Sequence, residues 1–173
     1  AHVWLEFGVQ SLQDRTLREI NRGHDKAVFL DAVGRASGGP ILICVHLIVG
    51  LPGESHAEML ETAQEIAGLP IDGIKIHSLL ALEGTELGER YKRGEISMLS
   101  REAYVETLCD ILEILPPEMV IQRLTADGYR DIFLGPEWAA NKLAVLNAID
   151  GELKRRDSWQ GKRYKGKNEE KER

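Results

Sequence analysis

The sequence predicts an α/β fold: three parallel strands of a TIM-like barrel, each followed by helical signals, and then a mainly helical C-terminal extension. The strand-like segments begin roughly 30–38 residues apart, and one strand–helix unit of an eightfold barrel takes about 31 residues. Helix-capping and turn signals separate the strands. Repeated units of this length indicate a parallel sheet with right-handed crossovers.

The first unit begins with the alternating segment 3–11, which is typical of a strand. Helical signals follow at 14–21 and again at 25–36, where Asp25 is a suitable N-cap and apolar residues recur at helical spacing. The sequence Ser-Gly-Gly-Pro at 37–40 predicts the end of that helix and a turn.

The second unit contains the most apolar strand of the chain. Residues 41–49 are apolar apart from His46 and rich in β-branched side chains, as expected for a strand buried on both faces. A Gly-Leu-Pro-Gly turn ends the strand. Ser55 and Glu58 then predict a capping box for a helix that runs to about residue 67.

The third strand, 73–80, completes a barrel portion over residues 1–82. The remaining sequence predicts a C-terminal extension over 83–150 and a basic tail over 151–173. Within the extension we expect a polar segment, a helix, a further strand and a last helix, in that order, at 83–99, 100–115, 119–124 and 136–150.

The net charge of −6 conceals an uneven distribution. The first 150 residues carry 13 Lys and Arg against 23 Asp and Glu, whereas residues 151–173 carry 9 against 5. A basic tail with interleaved Trp159 and Tyr164 is compatible with RNA as a partner. A solvated terminus explains the same composition, and the acidic body disfavours a broad nucleic-acid surface.

Cysteine content and hydropathy indicate a cytoplasmic protein. Cys44 and Cys109 lie 65 positions apart, which excludes a CxxC site and disfavours a disulfide-stapled fold. The apolar run at 41–49 is too short to cross a bilayer, and no signal peptide opens the chain. Because a core strand begins at residue 3, we expect the sequence to be a fragment of a longer protein.

One face of every predicted strand carries polar side chains. Alternation places Glu6 and Gln10 on one face of the first strand, His46 on the second, and Lys75 and His77 on the third. The opposite faces are almost wholly apolar. Because buried polar groups are costly unless satisfied, and barrel enzymes build their sites at the C-terminal ends of strands, this shared pattern predicts a functional site.

Two interpretations of this face follow from the residues alone. Lys75 beside His77 suits Schiff-base chemistry, as in a barrel lyase, with His77 or Glu6 moving protons. The other interpretation is a non-catalytic half-barrel that binds a nucleotide or docks on a partner through its helical extension.

The order of four motifs is more specific: GVQS at 8–11, LREINRGHD at 17–25, HLIVGLPGES at 46–55, and IKIHSL with GTEL at 74–87. Together they resemble the second half of radical S-adenosylmethionine (SAM) enzymes, near the oxygen-independent coproporphyrinogen oxidases and the elongator-type acetyltransferase subunit. Later segments, from YKRGEIS to QGKRY, resemble a subfamily of that branch. The resemblance covers about residues 3–165.

The resemblance implies the rear half of a partial (β/α)6 barrel that binds SAM against a [4Fe-4S] cluster. In full length, such an iron–sulfur oxidoreductase uses an external reductant to cleave SAM to a 5′-deoxyadenosyl radical, which acts on a substrate that the sequence does not identify. The implied SAM-binding residues are Gln10, Ser11, Arg22, His46, Ile48, Gly50 and His77.

The implied roles differ from residue to residue. Gln10 and Ser11 match the polar strand end that contacts the ribose or the amino-acid part of SAM. Arg22 matches an arginine that pairs with the SAM carboxylate, for which its bidentate donors are suited. Ile48 and Gly50 match a motif that packs on adenine.

Two positions depart from the pattern of the family. His46 stands where relatives often have an aspartate that contacts the ribose hydroxyls, and Glu54 lies one position from the usual glutamate. The segment around His77 does match, and it corresponds to a strand whose backbone reads the adenine edge.

The resemblance also implies groups that the sequence lacks. A CxxxCxxC loop holds the cluster in such enzymes, and a glycine-rich motif binds the SAM amino group. Neither occurs in this chain, so no metal ligand is assigned to it. We expect both in a missing N-terminal half-barrel, or in a partner that supplies it, and we expect the chain alone to be inactive.

Overall fold

The computed structural model describes residues 3–126 and 130–166, and its centre is a parallel β-sheet. The strands, in chain order, are β1 (Val3–Gln10), β2 (Ile41–Val49), β3 (Gly73–Ser78), β4 (Ala81–Leu82), β5 (Val120–Arg123) and β6 (Phe133–Gly135). β1, β2, β3 and β5 form a four-stranded parallel sheet in that order, whereas β4 and β6 form a short antiparallel ribbon. The predicted α/β class is confirmed.

Helices connect the strands of the sheet. In chain order they are α1 (Asp14–Glu19), α2 (Lys26–Ala36), α3 (His56–Ala67), α4 (Glu86–Lys92), α5 (Arg101–Ile114) and α6 (Lys142–Arg155), with short 3-10 turns at Arg130–Ile132 and Glu137–Ala140. The Asp25 side chain caps α2. Ser55 and Glu58 form the predicted capping box on α3. No helix within 3–126 or 130–166 has the length and apolar content needed to cross a membrane.

The apolar face of the sheet packs against the helices. β2 contacts α2 and α5, and α5 in turn packs between α3 and α6. The buried strand residues of this core include Val9, Ile43, Val45, Leu47, Val49, Ile74 and Ile76. Tyr104 of α5 is fully buried among them, and its hydroxyl donates a hydrogen bond to the Leu124 carbonyl oxygen at 2.9 Å. The alternation of apolar residues thus determines which face the helices cover.

The extension over 83–150 contributes to the sheet as well as to the helical layer. β5, expected at 119–124, pairs with β3 in parallel. The segment expected to be polar and turn-rich contains α4. The sequence predicts the last helix at 136–150, but α6 begins after Asn141, whose side chain accepts a hydrogen bond from the Ala144 amide at 3.1 Å.

The first part of the basic tail packs against α5 instead of forming a solvated terminus. The Gly161 amide donates to the Leu112 carbonyl oxygen at 3.0 Å, and the Arg163 amide donates to that of Glu113 at 2.8 Å. These bonds use carbonyls at the C-terminal end of α5, which have no partner within the helix. Residues 167–173 of the predicted tail lie outside the described residues.

Several cations of the tail are already paired with carboxylates. Arg156 lies 2.6 Å from Asp110 and 2.7 Å from Glu152, and Arg155 lies 2.7 Å from Glu152. Arg156 is largely buried, so these contacts hold the end of α6 on α5. The binding of RNA through this tail remains a prediction.

We expect Glu152 to make stability depend on pH in the acidic range. Hydrogen bonds from Arg155 and Arg156 hold the pKa of Glu152 at about 2, against 4.5 for an unperturbed glutamate. Because the folded-state pKa is depressed, the stabilisation is present above pH 4.5 and is lost as the pH falls toward 2. The melting temperature should therefore fall less steeply over this range in Glu152→Gln than in the wild type. Glu118→Gln, a change at an exposed residue, should follow the wild type, and equal slopes in all three proteins would contradict the prediction.

Candidate functional site

A cluster of titratable side chains lies on the face of the sheet opposite the helices. Oε2 of Glu6 is 2.7 Å from His46 Nε2 and 2.5 Å from Lys75 Nζ. The rings of His46 and His77 stack with their centroids 5.5 Å apart. The parallel register pairs His46 with Lys75 and Ile48 with His77, which brings these side chains together. We call Glu6, His46, Lys75 and His77 the charged face.

The pKa values of Glu6 and His77 are shifted in the charged face. Hydrogen bonds from Lys75 and then His46 hold the pKa of Glu6 below its usual value. Burial, together with the positive charge of Arg123, lowers the pKa of His77 to about 4, so this ring is neutral at physiological pH. Its Nε2 atom is buried and has no hydrogen-bond partner among the residues that the structure describes.

The end of β1 brings Gln10 and Arg22 together over Gly8. The pairing of β1 with β2 shifts between Phe7 and Gln10, which marks a β-bulge, and Gln10 has a φ of 67°. A Cβ atom on Gly8 would lie 2.8 Å from both Arg22 Nη2 and Gln10 Nε2. Arg22 Nη2 also donates to the Gly8 carbonyl oxygen at 2.5 Å. One guanidinium and one amide therefore lie side by side at the C-terminal edge of the sheet.

Ser11 follows this pair but points into the protein. It is 1% exposed, its hydroxyl donates to a Glu54 carboxylate oxygen, and it accepts a hydrogen bond from the Gln13 amide at 3.0 Å. Burial raises the pKa of Glu54, and the Ser11 hydroxyl partly offsets that effect. Ser11 and Glu54 therefore fix the two loops that follow β1 and β2, and contact of Ser11 with a cofactor stays a prediction.

Ile48 lines an open, largely apolar cleft of about 250 Å³ at the same edge of the sheet. The cleft also takes residues from the end of α1, the turn after β2, the end of β3 and α4: Glu19, Ile20, Asn21, Leu51, Leu79, Glu86, Leu87 and Arg90. Gly50, with a φ of 92°, lies outside the cleft, where a Cβ atom would be 3.1 Å from Leu99 Cδ1. The loop after β2 thus needs glycine for its conformation.

A larger cavity of about 500 Å³ lies at the opposite end of the strands, between Trp4 and Tyr164. It is remote from Gln10, Arg22 and Ile48, which lie where the strands end. In parallel α/β folds, ligands bind at the C-terminal ends of the strands, and residues at the N-terminal ends serve stability. The smaller cleft is therefore the candidate binding site.

The described residues suit SAM and do not suit an iron–sulfur cluster. The guanidinium of Arg22 and the amide of Gln10 lie at the strand edge that also bears the apolar cleft, and SAM has a carboxylate, hydroxyls and an apolar base face. Burial raises the pKa of both Cys44 and Cys109 to about 11, whereas cluster iron binds thiolates. Within 3–126 and 130–166, no group of three His, Cys, Asp or Glu residues is arranged to hold a metal ion.

The LREINRGHD and GTEL motifs contain most of the residues that the end of α1 and α4 contribute to the cleft, but the sequence predicts no individual role for them. Asn21 has a φ of 54°, a left-handed conformation that asparagine tolerates better than most residues. Glu86 follows Thr85, which caps α4 by accepting a hydrogen bond from the Gly88 amide at 3.0 Å.

Comparisons with known proteins agree with the observed fold. A family model described as the Radical SAM superfamily matches residues 1–66, and one described as the Radical SAM C-terminal domain matches residues 71–155. The solved structure of the archaeal Methanocaldococcus infernus Elp3 with an N-terminal deletion superimposes with a TM-score of 0.79 and 25% identity, over 91% of this chain and 37% of that one.

Two curated relatives match nearly the whole chain. Protein YtqA of Bacillus subtilis is 43% identical over 98% of this chain and 52% of its own length. Protein MJ0486 of Methanocaldococcus jannaschii is 40% identical over 94% of this chain and 51% of its own length. The chain thus spans about half the length of these relatives. With two family models that together match most of its residues, the chain belongs to the radical SAM superfamily.

Proposed function

We propose that this chain forms the SAM-binding part of a radical SAM enzyme whose cluster-binding cysteines lie outside the chain. The convergence of Gln10 and Arg22 over Gly8 carries this proposal, since it places hydrogen-bond donors at the C-terminal edge of the sheet. The membership of the superfamily supports it. In such enzymes, SAM bound to a reduced cluster is the source of a radical that abstracts hydrogen. The proposal does not specify the substrate.

In this proposal the polar end of SAM lies at the end of β1. Arg22 uses one nitrogen for the Gly8 carbonyl, and its remaining N–H groups are available for the SAM carboxylate. Gln10 supplies a second donor, held beside the guanidinium by its positive φ. Ser11, which hydrogen-bonds Glu54, acts as a positioning residue for this strand end.

The adenine and ribose lie on β2 and β3 in the same proposal. Ile48 and Leu79 supply apolar surface for the adenine in the cleft. His46 faces the ribose, and its hydrogen bond to Glu6 fixes the orientation of the ring. Gly50 allows the turn that leads from β2 to α3, and the end of β3 near His77 forms the far wall.

Gly8→Ala tests the geometry without removing a ligand-binding side chain. The new Cβ atom would lie 2.8 Å from both Arg22 Nη2 and Gln10 Nε2 and would displace both side chains. We expect SAM affinity, measured by calorimetry on the full-length protein, to fall about tenfold, or about 1.4 kcal/mol. Gly23→Ala is the matched control, because a Cβ atom at Gly23 meets nothing within 4 Å. Equal affinities in the two variants would contradict the proposed position of SAM.

The Schiff-base interpretation remains a second candidate because of one contact. Lys75 Nζ lies 2.5 Å from Glu6, a carboxylate able to move a proton, and His77 is close by. Here the amine donates to Glu6, whereas attack on a carbonyl requires a free amine. Borohydride trapping of a carbonyl compound on Lys75, with no SAM binding, is the result that favours this candidate.

A further inference from the structure

We infer that the charged face binds an oxyanion group of the substrate, a carboxylate or a phosphate, through Lys75 and the unpartnered Nε2 of His77. This anion site is distinct from the place proposed for the SAM carboxylate at Arg22. The assignment of the anion to the substrate rests on the proposed function, whereas the anion site itself rests on the geometry of β1, β2 and β3.

The ammonium group of Lys75 has more N–H donors than it has acceptors among the described residues. An ammonium group carries three N–H bonds, and the described part of the chain gives Lys75 one acceptor, Glu6 Oε2 at 2.5 Å. Its side chain is only 20% exposed, so water does not fully solvate the remaining donors. His46 contacts the same oxygen of Glu6, Oε2, so Lys75 shares this acceptor with the imidazole. A further anion beside Lys75 would complete the ammonium coordination.

His77 provides the second donor. It lies two residues after Lys75 on β3, so both side chains leave the same face of the sheet about 7 Å apart. The Nε2 atom is buried with no partner in the part of the chain that the structure describes, and a buried polar atom without a partner is costly. Because Nε2 has almost no accessible surface, a shift of the surrounding side chains must first open it to the site. A bound oxyanion would then accept a hydrogen bond from the Nε2–H tautomer of the neutral ring.

The local charge favours an anion. Lys75 pairs in register with Arg123, and both positive charges help to keep His77 neutral. Within the charged face, Lys75 is the cation, and Glu6 is the one carboxylate that it contacts. A partly buried ammonium group attracts an anion more strongly than an ammonium group at an exposed surface does.

The site is bounded along the sheet. At the N-terminal end, the Trp4 indole crosses the face and packs over Gly73, where a Cβ atom would lie 2.9 Å from Trp4 Cζ3. At the C-terminal end, Gln10 and Arg22 form the pair proposed to hold SAM. The oxyanion of a substrate would therefore lie between the indole and SAM, with the rest of the substrate toward SAM.

Histidine NMR of the full-length protein tests the inference directly. With 15N-labelled histidine, inorganic phosphate or acetate is titrated into the protein, and the His77 signals are assigned with His77→Gln. We expect the anion to shift these signals and to raise the pKa of His77 from about 4 toward its ordinary 6.5, because a nearby negative charge favours the imidazolium form. Tighter binding of phosphate indicates a phosphorylated substrate, and tighter binding of acetate indicates a carboxylate.

Three variants complete the test. Lys75→Gln should weaken anion binding at least tenfold, Lys75→Arg should retain it, and Arg22→Gln should leave it unchanged. No shift with either anion, a shift that persists in Lys75→Gln, or a shift that is lost in Arg22→Gln would each overturn the inference. SAM is titrated in the same samples. SAM binding without the anion effect rejects this inference alone, and the anion effect without SAM binding rejects the proposed function alone.

Discussion

Gly88→Ala should destabilise the protein by about 2–3 kcal/mol, because α4 approaches β4 so closely that no side chain fits between them. A Cβ atom on Gly88 would lie 2.0 Å from the Leu82 carbonyl oxygen and 2.9 Å from the Leu82 carbonyl carbon. Both are backbone atoms, so no rotamer change relieves the contact. The Thr85 hydroxyl bonds both Leu82 and Gly88, which ties the two segments together on the same side.

Gly151→Ala is the matched control for that change. Gly151 also lies within a helix, α6, but a Cβ atom there meets nothing within 4 Å. Alanine should therefore stabilise the protein by about 0.5–1 kcal/mol through helix propensity alone. Urea unfolding of the full-length protein gives both values. Midpoints that move equally in the two variants would show that the approach of α4 to Leu82 does not constrain the fold.

Gly88→Ala also tests whether α4, which lies in the extension, contributes to the candidate site. α4 supplies Glu86, Leu87 and Arg90 to the cleft that Ile48 lines. A helix displaced by the added Cβ atom would carry these three side chains with it. Gly88→Ala should therefore weaken SAM binding as well as stability, whereas Gly151→Ala should leave SAM binding unchanged.

Local patterns predicted the charged face because the rules that place it are local. Alternation along one strand places Lys75 and His77 on a single face, and strand–helix repeats bring neighbouring strands together in parallel. The contacts of Glu6 with His46 and Lys75 follow from these two rules without knowledge of the loops. The α/β class and β5 were predictable for the same reason.

Two kinds of feature were not predictable from the sequence. One depends on a single residue that leaves the regular strand geometry, and the other depends on contacts between residues far apart in the chain. Alternation places Ser11 on the same side as the buried Val9, but it does not show that the Ser11 hydroxyl bonds Glu54, nor that Gln10 takes a left-handed conformation at the bulge. α4 is seven residues long and has no apolar stripe, so its periodicity gave no signal. The Arg163 amide donates to the backbone carbonyl of Glu113 on α5, 50 residues earlier in the chain. The composition of the tail gives no sign of this contact.

Arg22→Ala should lower the SAM affinity of the full-length protein by about 2–4 kcal/mol, or roughly 30- to 1000-fold. In the proposed complex the guanidinium is the charged partner of the SAM carboxylate, and its removal leaves that carboxylate without a counter-charge. Arg22→Lys keeps the charge but loses the second parallel donor, so its affinity should lie between those of the wild type and Arg22→Ala. Arg18→Ala, at an exposed position on α1, should bind SAM as the wild type does.

The comparison of Arg22→Ala with Gly8→Ala separates loss of the guanidinium from its displacement. Arg22 is exposed, and its hydrogen bond to the Gly8 carbonyl oxygen holds it beside Gln10. Calorimetry should give the larger loss for Arg22→Ala, since a displaced guanidinium still supplies positive charge, whereas alanine supplies none. Unchanged SAM affinity in Arg22→Ala, with the fold intact, would remove Arg22 from the site. The carboxylate of SAM would then need another cation, and Lys75, the cation of the charged face, would be the next residue to replace.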